Sequence, residues 1–254
     1  MARVIAIANQ KGGVAKTTTA VNLGAALALE GKKVLVIDND PQGNATSGFG
    51  FDRTRMRKCV YDVLIGESTI RAVREPVRGI DGLDLVPATL RLAGAEIELV
   101  DVTEREFILR KAVAEVRDEY EFVLIDCPPS LGLLTLNALV AADSVLIPIQ
   151  CEYYALEGLG YLVNTVQLVQ RRLNPRLEIE GVLLTMFDGR TNLSIQVVEE
   201  VKRYFRQKVY QTIVPRNIRL SEAPSHGKPV VIYDPRCRGA EVYRELAKEV
   251  MASG

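Results

Sequence analysis

Two lysines flank a glycine-containing turn near the start of the chain, in the run Ala8–Thr19 (ANQKGGVAKTTT). The apolar run Val4–Ala8 precedes this turn and a helix-forming segment, Ala20–Glu30, follows it, so the turn joins a strand to a helix N-terminus. Backbone N–H groups at such a junction bind phosphate. Lys16 can reach the β- and γ-phosphates of a nucleotide, and the Thr17 hydroxyl can ligate Mg²⁺. The pattern therefore predicts a nucleotide site, whose expected contacts are Lys11, Gly12, Gly13, Val14, Ala15, Lys16, Thr17 and Thr18.

Two carboxylates follow the second apolar run, in the string Asp38–Asn44 (DNDPQGN). In an open α/β sheet, ligands gather at the carboxyl ends of the strands, which is where this string falls. We expect Asp40 to orient and polarise an attacking water, and the loop shaped by Pro41 and Gly43 to respond to a γ-phosphate. The alternative is a turn whose aspartates only cap the next helix.

A third carboxylate, Asp126, ends the apolar run Val123–Ile125. This arrangement is typical of a Walker B segment, in which the aspartate holds Mg²⁺ through a water molecule. Taken alone the pattern is weak, because many strands end in an aspartate that only caps a helix. After the two preceding elements, in that order, it predicts a magnesium site formed by Thr17 and Asp126.

The turn with two lysines resembles the deviant Walker A motif, K-G-G-x-G-K-[ST], of the ParA and MinD group of ATPases. One position departs from the motif, because Ala15 stands where the group has glycine. The resemblance implies that Lys11 meets phosphate charge across a dimer interface, so that ATP and Mg²⁺ binding promotes a homodimer. It also implies that Asp40 is the catalytic aspartate of the first switch region. Lys11, Lys16 and Asp40 are therefore the expected catalytic residues of an ATPase that is slow when unaided.

The similarity extends over essentially the whole chain to the chromosomal ParA branch, often called Soj, in strings such as 150–158 (QCEYYALEG) and 220–229 (LSEAPSHGKP). It implies an ATP-dependent dimer that binds DNA nonspecifically and is reset when a ParB-type centromere-binding partner stimulates hydrolysis. The short segment before Val4 leaves no room for an operator-binding extension, so specific recognition is not expected. Two alternatives stay open: a nucleotide-gated switch with little hydrolysis, and a MinD-like positioning ATPase on a membrane.

The elements that must position these residues follow from short continuous apolar runs, which are typical of strands buried on both faces of a parallel sheet. The predicted strands are Val4–Ala8, Val34–Ile37, Leu83–Val86, Phe122–Ile125, Ser144–Ile149, Gly181–Met186 and Val209–Ile213. The predicted crossover helices are Thr18–Glu30, Glu104–Val116, Leu131–Ala141, Leu156–Leu173, Ser194–Arg206 and Arg238–Met251. This alternation predicts an α/β fold with a doubly wound, mostly parallel sheet flanked by helices, of the P-loop NTPase type.

The length of 254 residues, of which 48% are hydrophobic, fits a single ATPase domain spanning residues 1–254. We interpret residues Phe49–Arg91 as an excursion with a short helix near Val60–Ile65. The 32 basic residues balance 32 acidic ones, so DNA binding must come from a local patch or a surface formed by dimerisation. No leader and no apolar run of about 18 residues is visible, which predicts a cytoplasmic protein. The family resemblance adds association with the nucleoid.

Further candidates lie in the C-terminal third. Pro215 and Asn217 follow the last strong strand and Met186 ends the one before it, where an adenine could be sandwiched. The resemblance places base contacts in this region, and an ordinary loop is the alternative. Candidates for contacts to DNA phosphates are Arg190, Lys202, Arg203, Arg206, Arg216 and Arg219. Arg190 and Arg219 match basic positions that the family uses for DNA, whereas solvated surface charge is the alternative for each.

The C-terminal segment Val242–Gly254 has mixed charge and few large apolar groups, so we expect it to pack on the domain and not to hold a membrane. The four cysteines show no C-x-x-C spacing, which argues against a zinc site and a disulfide framework.

Ala15 is expected to strain the phosphate loop. The residue before the second lysine often takes a positive φ, where a β-carbon costs about 1–3 kcal/mol. A cost in the nucleotide-bound state weakens ATP binding, whereas a cost in the transition state slows hydrolysis. We expect an impaired but not inactive site, since Lys11, Lys16, Thr17, Asp40 and Asp126 are all present.

Overall fold

The computed structural model describes residues 1–152 and 157–253, with only the backbone described for residues 157–159. Its eight-stranded sheet has the order β3-β4-β2-β5-β1-β6-β7-β8, and all neighbours run parallel except the pair β3 and β4. The strands are β1 Arg3–Ile7, β2 Val34–Asp38, β3 Glu75–Pro76, β4 Leu83–Val86, β5 Phe122–Asp126, β6 Ser144–Gln150, β7 Glu178–Phe187 and β8 Val209–Pro215. The seven predicted strands are confirmed, with small shifts at their ends. The short edge strand β3 was not predicted.

Helices cover both faces of the sheet, as expected for a doubly wound α/β fold. They are α1 Lys16–Leu29, α2 Asn44–Gly48, α3 Val60–Leu64, α4 Ile70–Val73, α5 Leu92–Glu98, α6 Ile108–Ala114, α7 Leu133–Ala141, α8 Glu157–Arg172, α9 Asn192–Phe205, α10 Ile218–Glu222, α11 Val230–Tyr233 and α12 Arg238–Ala252. The predicted start of α8 at Leu156 lies outside the described residues.

One helix prediction was wrong in its extent. The segment Glu104–Val116 is not continuous: Glu104 takes a left-handed φ of 56°, a 3₁₀ turn follows at Arg105–Phe107, and only then does α6 begin. The side chain of Asn137 on α7 binds this junction, donating to the Arg105 carbonyl at 2.9 Å and accepting from the Leu109 N–H at 3.1 Å. A contact from a distant helix thus fixes a break that local sequence does not show.

The core lies in two layers, one on each face of the sheet. Successive residues of a strand point to opposite faces. In β1, Val4 and Ala6 join the layer that includes α5, α6 and α7, whereas Ile5 and Ile7 join the layer that includes α1 and α12. The central strands are therefore buried on both faces, which explains their continuous apolar runs.

The sheet register brings the predicted site elements together. Strands β1, β5 and β2 are neighbours, and Asp126 at the end of β5 lies opposite Asp38 on β2 and Ile7 on β1. The phosphate loop (residues 8–15), the Asp38–Asn44 string and Asp126 therefore lie together at the carboxyl ends of the parallel strands.

Candidate nucleotide site

The phosphate loop joins β1 to α1 and is tied to two further strands. The Asn9 side-chain amide donates to the Pro148 carbonyl on β6 at 2.7 Å, and its side-chain oxygen accepts from the Lys11 N–H at 3.0 Å. Val14 is buried, and its carbonyl accepts from the Thr185 hydroxyl on β7 at 3.2 Å. These hydrogen bonds fix the loop before any ligand binds.

Ala15 has the strained backbone that the sequence predicted. Its φ of 69° and ψ of 31° place it in the left-handed region, at the N-cap of α1. Gly13 also has a positive φ, of 74°, so the loop carries two such residues but only one glycine among them. The β-carbon of Ala15 therefore stands in a conformation that favours glycine.

Lys16 is held inside the loop. Its side chain is buried, with 7% of the residue exposed, and its ammonium donates to the Lys11 carbonyl at 3.0 Å. Burial lowers the pKa of Lys16, and the neighbouring carboxylates of Asp126 and Asp40 oppose this shift. The loop thus presents a desolvated positive charge, which can stabilise phosphate groups more strongly than an exposed lysine can.

Asp126 is a buried carboxylate without a hydrogen-bond partner. Both of its side-chain oxygens are inaccessible and neither forms a hydrogen bond of normal geometry within the described part of the chain. Burial and the neighbouring Asp38 raise its pKa, while Thr17 in the first turn of α1 lies close enough to oppose the shift. A buried anion needs a compensating charge, which a divalent cation supplies. The residues present therefore fit Mg²⁺ at Thr17 and Asp126.

Asp38 has a structural role that the sequence reasoning missed. Its Oδ2 accepts from the N–H and from the hydroxyl of Thr46, both at 2.7 Å, and the same hydroxyl accepts from the Ala88 N–H at 2.9 Å. Burial raises the pKa of Asp38 to about 6. Asp38 thus ties the end of β2 to α2 and to the segment after β4. The partners lie eight and fifty residues away, so spacing gives no signal for them.

Asp40 lies in the loop between β2 and α2 and faces the same edge of the sheet. It is 7% exposed, and its carboxylate accepts from the Gln42 N–H at 2.9 Å. Gly43 has a φ of 62°, and a β-carbon there would lie 3.0 Å from the Ala88 carbonyl oxygen, so glycine is required. The loop is therefore a shaped segment and not only a helix cap.

A cavity of about 360 Å³ brings Lys16, Thr17 and Asp40 together, whereas the buried Asp126 and Asp38 are not among its lining residues. Its lining residues are Gly12, Gly13, Ala15, Lys16, Thr17, Thr18, Asp40, Gln42, Asn44, Pro129 and Met186. Lys11 contributes its backbone, through the hydrogen bonds to Asn9 and Lys16. The expected action of its ammonium across a dimer interface stays a prediction, since it requires a second chain.

A second cavity, of about 340 Å³, lies beside the first and shares Ala15, Thr18 and Met186 with it. It is also lined by Pro215 and Asn217, so the three predicted base contacts come together. The Asn217 side-chain oxygen accepts from the Arg219 N–H at 2.9 Å, a contact that does not use the donor N–H groups of the same amide.

Three features of the second cavity were missed from the sequence. Leu220, Pro224 and Tyr243 line it although they lie on separate elements. The Tyr243 hydroxyl on α12 is 3.3 Å from the Thr19 hydroxyl on α1, which joins the two helices. Met186 has a positive φ of 52° at the end of β7, a strained conformation that the sequence does not signal.

The six candidate DNA contacts do not form one cluster on a single chain. Arg190 pairs with Asp188 at 2.7 Å and is 88% exposed in its side chain. Arg190 and then Arg216 lower the pKa of Asp188 to about 2, so both lie near this carboxylate. Arg190 follows β7 and Arg216 follows β8, so both lie at the carboxyl ends of the strands, as the phosphate loop does.

The other candidates differ in position or in pairing. Arg219 at the start of α10 pairs with Glu222 at 2.8 Å and with Asp234 at 3.2 Å. Lys202, Arg203 and Arg206 are exposed near the C-terminal end of α9. Helix α9 runs back from the carboxyl end of β7 to the amino end of β8. These three residues therefore lie near the amino ends of the strands, roughly 20 Å along the helix from Arg190.

The remaining predictions concern the C-terminal helix, metals and cysteines. Helix α12 buries its apolar side, including Tyr243, Leu246 and Val250, against the core, as expected. In residues 1–152 and 157–253, no helix has the length and apolar content needed to cross a bilayer. The same residues contain no cluster of three potential metal ligands among His, Cys, Asp and Glu. Burial raises the pKa of the Cys127 thiol, and that of Cys151 to about 12, as expected for structural cysteines.

Comparisons with known proteins concern both the sequence and the fold of the chain. Residues 2–179 match a family model described as an AAA domain. The chain is 63% identical over 254 residues to the sporulation initiation inhibitor protein Soj of Bacillus subtilis, covering 100% of both chains. It is 55% identical over 249 residues to the chromosome partitioning protein ParA of Myxococcus xanthus, covering 98% of this chain and 88% of that protein.

Among solved structures, the chain is similar to cobyrinic acid a,c-diamide synthase from Mycobacterium smegmatis with a bound ATP analogue and magnesium. The TM-score is 0.87 at 39% sequence identity, and the match covers 99% of this chain and 95% of that one.

Proposed function

The chain belongs to the Soj/ParA family of partitioning ATPases, and from this premise we propose that it is an ATP- and Mg²⁺-dependent DNA-binding switch of chromosome or plasmid segregation. Residues 1–254 act as one ATPase domain. In the ATP state two chains dimerise and bind DNA nonspecifically on the nucleoid. Hydrolysis, stimulated by a ParB-type partner, returns the chain to the unbound state.

The observation that supports this proposal most directly is the unpartnered Asp126 carboxylate beside Lys16 and Thr17. Fully buried carboxylates are rare unless paired, because leaving water is unfavourable for an anion. Here the missing partner lies next to a loop of backbone N–H groups and a buried ammonium. Lys16 and Asp126 already attract each other, and a magnesium-bound nucleotide gives each a direct partner, the cation for Asp126 and the phosphates for Lys16.

Each residue of the site has a distinct role in this proposal. Lys16 binds the β- and γ-phosphates, Thr17 and Asp126 hold the metal, and Asp40 orients the attacking water. Mg²⁺, when bound, neutralises phosphate charge and so makes the γ-phosphate easier to transfer. Lys11 reaches the phosphates of the other chain, which makes ATP binding and dimerisation depend on each other.

The base side of the site completes the assignment. Met186, Pro215 and Asn217 surround the adenine in the cavity next to the phosphate loop. The apolar side chains of Met186 and Pro215 pack against the ring, and the Asn217 amide donates hydrogen bonds to it. Because Ala15 and Thr18 line both cavities, the base and the phosphates are bound by one continuous surface.

A second candidate function, a nucleotide-gated binding switch with little hydrolysis, is favoured by one observation. Ala15 holds a left-handed conformation next to Lys16, where the loop must approach the phosphates. If its strain rises in the transition state, binding persists while turnover falls. A trace of basal ATPase fits both candidates, so the comparison that separates them is turnover with and without the ParB-type partner.

The proposal is tested by measuring DNA binding at low and high salt with no nucleotide, with ADP and with ATP. Light scattering in the same buffers counts the subunits. We expect dimers and salt-sensitive DNA binding only with ATP, because phosphate contacts release counterions. DNA binding that is absent in every state, or equal in all three, would contradict the partition function.

A further inference from the structure

Gly50 terminates α2, the short helix that follows the proposed γ-phosphate loop, residues 40–43. It has a φ of 85°. Its N–H donates to the Ser47 carbonyl at 2.9 Å, and the Phe51 N–H donates to the Thr46 carbonyl at 3.1 Å. These two bonds form a Schellman motif, whose left-handed residue is usually glycine. Because Thr46 is also hydrogen-bonded to Asp38, the motif is tied to the end of β2.

A second Schellman motif terminates the 3₁₀ turn Ala223–His226, which continues α10. Gly227 has a φ of 60° there, and its N–H donates to the Pro224 carbonyl at 3.0 Å. The Lys228 N–H donates to the Ala223 carbonyl at 3.3 Å, which completes the motif. Two short helical segments from distant parts of the chain thus end in the same backbone geometry.

The two glycines lie backbone to backbone. A β-carbon at Gly50 would lie 2.8 Å from the Gly227 carbonyl oxygen, and a β-carbon at Gly227 would lie 2.6 Å from the Gly50 α-carbon. Both distances are too short for a real β-carbon, and the backbone atoms concerned cannot rotate away as a side chain could. Close-packed protein interiors are barely compressible. A shift of α2 towards the turn therefore moves the turn as well.

The contact joins two sides of the proposed site. We call residues 217–227 the base segment, because Asn217 and Pro224 line the second cavity. The same segment carries Arg219, one of the candidate DNA contacts. On the other side of the contact, Asp40 and Gln42 in the γ-phosphate loop line the first cavity.

Space beside the contact leaves room for movement. A cavity of about 300 Å³ lies between α1, α2 and the turn, with Thr17, Ser47 and Pro224 among its lining residues. Beyond the turn, the Asn22 side-chain oxygen on α1 accepts from the Val230 N–H at 2.6 Å. The turn can therefore shift with α2 while the chain that follows it stays fixed to α1.

ATP and ADP carry the same base and differ only in the γ-phosphate. Contacts to the base alone therefore give the base segment the same interaction with both nucleotides, and a ligand shifts an equilibrium only through contacts that differ between states. Within one chain, the base segment needs a mechanical link to the γ-phosphate loop in order to respond to ATP. The contact between Gly50 and Gly227 provides this link.

We propose that Gly50 and Gly227 are positioning residues through which the γ-phosphate sets the position of the base segment and hence the affinity for DNA, an inference that rests on the proposed function. ATP draws in the γ-phosphate loop, α2 moves with it, and the backbone contact moves the turn that follows Arg219. If the glycines only allow close packing, their replacement lowers stability and leaves the response to ATP unchanged.

The test measures DNA affinity with saturating ATP and with saturating ADP. In Gly50→Ala we expect the ratio of the two affinities to fall about tenfold or more, within the usual range of coupling between sites. Gly227→Ala, which opens the contact from the other side, should show the same loss. ATP-dependent dimerisation, followed by light scattering, should stay within about twofold of the parent chain in both variants.

Gly66→Ala is the matched control. Gly66 terminates α3, which has five residues as α2 does, and its N–H donates to the Val63 carbonyl at 3.2 Å with a φ of 80°. A β-carbon at Gly66 meets no other atom within 4 Å in the part of the chain that the structure describes. The control therefore carries the same left-handed strain without the contact. It should lose stability in denaturant but keep the parent ratio of DNA affinities.

Hydrogen exchange tests the link in the parent chain, so the result does not depend on the folding of a variant. Backbone amide exchange is compared with ADP and with a non-hydrolysable ATP analogue, at a protein concentration where light scattering finds monomers. We expect the analogue to change exchange in residues 41–50 and in residues 218–227. In Gly50→Ala only residues 41–50 should respond.

Three outcomes would contradict the inference in different ways. An unchanged ratio of DNA affinities in folded Gly50→Ala and Gly227→Ala, or an exchange response of the parent confined to residues 41–50, would overturn the link alone. Loss of ATP-dependent dimerisation in these variants would also overturn it, by assigning the contact to the dimer. A parent chain whose DNA affinity is equal with ATP and with ADP would contradict the proposed function together with this inference.

Discussion

The phosphate loop and the segment after β7 each carry a basic side chain, but in opposite surroundings. Lys16 is 7% exposed, inside a loop that hydrogen bonds to β6 and β7 fix in place. Arg190 is 88% exposed in its side chain and paired with a carboxylate two residues away. A buried charge acts strongly in low dielectric, whereas an exposed pair is screened and contributes little. We therefore expect one chain to form the nucleotide pocket, apart from Lys11 of the second chain, and two chains to be needed for the proposed DNA surface.

The largest effect is expected for Asp40→Ala, at the nucleotide side of this comparison. If Asp40 acts only on the attacking water, hydrolysis should fall by about 10²–10⁴-fold, the usual contribution of a positioned acid or base. ATP affinity should change little, so the variant should remain an ATP-bound, DNA-bound dimer. Single-turnover hydrolysis and DNA binding with ATP measure the two parts. Equal losses of binding and hydrolysis would show that Asp40 shapes the loop and not the reaction.

Asp126→Asn separates the stability of the folded chain from its ability to bind ATP with Mg²⁺. An amide of the same shape removes an uncompensated buried charge, so the nucleotide-free chain should gain about 1–3 kcal/mol of unfolding free energy in EDTA. The same variant should lose Mg²⁺-dependent ATP binding. Denaturant unfolding and nucleotide titration with and without Mg²⁺ test both parts, and a destabilised variant would contradict the unpartnered carboxylate.

The same carboxylates predict a pH dependence for the nucleotide-free chain. Burial raises the pKa of Asp38 from 3.8 to about 6, and burial and Asp38 raise that of Asp126. Folded carboxyl groups with a raised pKa bind protons more tightly than the unfolded chain does, so they reduce stability above pH 6. As the pH falls from about 6 to about 4, the unfavourable contribution of Asp38 should shrink, and that of Asp126 should shrink as its carboxylate takes up a proton. Unfolding curves at pH 7.5 and 5.5 should show a smaller pH effect in Asp126→Asn than in the parent.

Ala15→Gly tests whether the left-handed strain limits the site. Glycine relieves a conformational cost of about 1 kcal/mol or more, which corresponds to roughly fivefold or more in an equilibrium or a rate. Higher ATP affinity would locate the strain in the bound state, and faster stimulated turnover would locate it in the transition state. Ala26→Gly, at a buried position inside α1, is a control for glycine in the same helix and should only destabilise it. No change in affinity or rate would show that the strain is equal in all states.

The smallest expected effects concern the basic residues. Arg190→Ala should weaken ATP-dependent DNA binding several-fold and reduce the salt slope by about one, the value for one lost phosphate contact. Arg206→Ala, near the amino ends of the strands, should leave the DNA affinity and the salt slope nearly unchanged. Equal losses of DNA affinity in the two variants would mean that DNA contacts the protein at both ends of the strands. Arg190 and Arg206 would then not differ in their role.

The sequence was sufficient where chemistry follows from local pattern. The seven predicted strands, the turn between β1 and α1, the positive φ at Ala15 and the position of Asp126 at a strand end were all predicted correctly, whereas phosphate binding by that turn stays a prediction. Met186, Pro215 and Asn217 come together as expected, although their contacts with a base stay a prediction. These features depend on short segments that are visible in the local sequence, and the carboxyl ends of the parallel strands then bring them together.

Contacts between distant segments account for what the sequence did not show. The role of Asp38 depends on Thr46 and Ala88, and the break at Glu104 depends on Asn137 of α7. The separation of Arg190 from Arg206 follows from the direction of α9 between two parallel strands. The contact between Gly50 and Gly227 could be recognised only in the folded chain, because these residues lie far apart in the sequence.

The most direct test of the central claim is a protein concentration series in which ATP binding and DNA binding are measured on the same samples. If one chain forms a nucleotide pocket that binds ATP without Lys11 of the second chain, and the DNA surface needs both chains, ATP should occupy monomers at low concentration while DNA stays free. DNA binding should then rise with the square of the protein concentration as dimers form. DNA binding by the monomer, with the same affinity with and without ATP, would contradict this account.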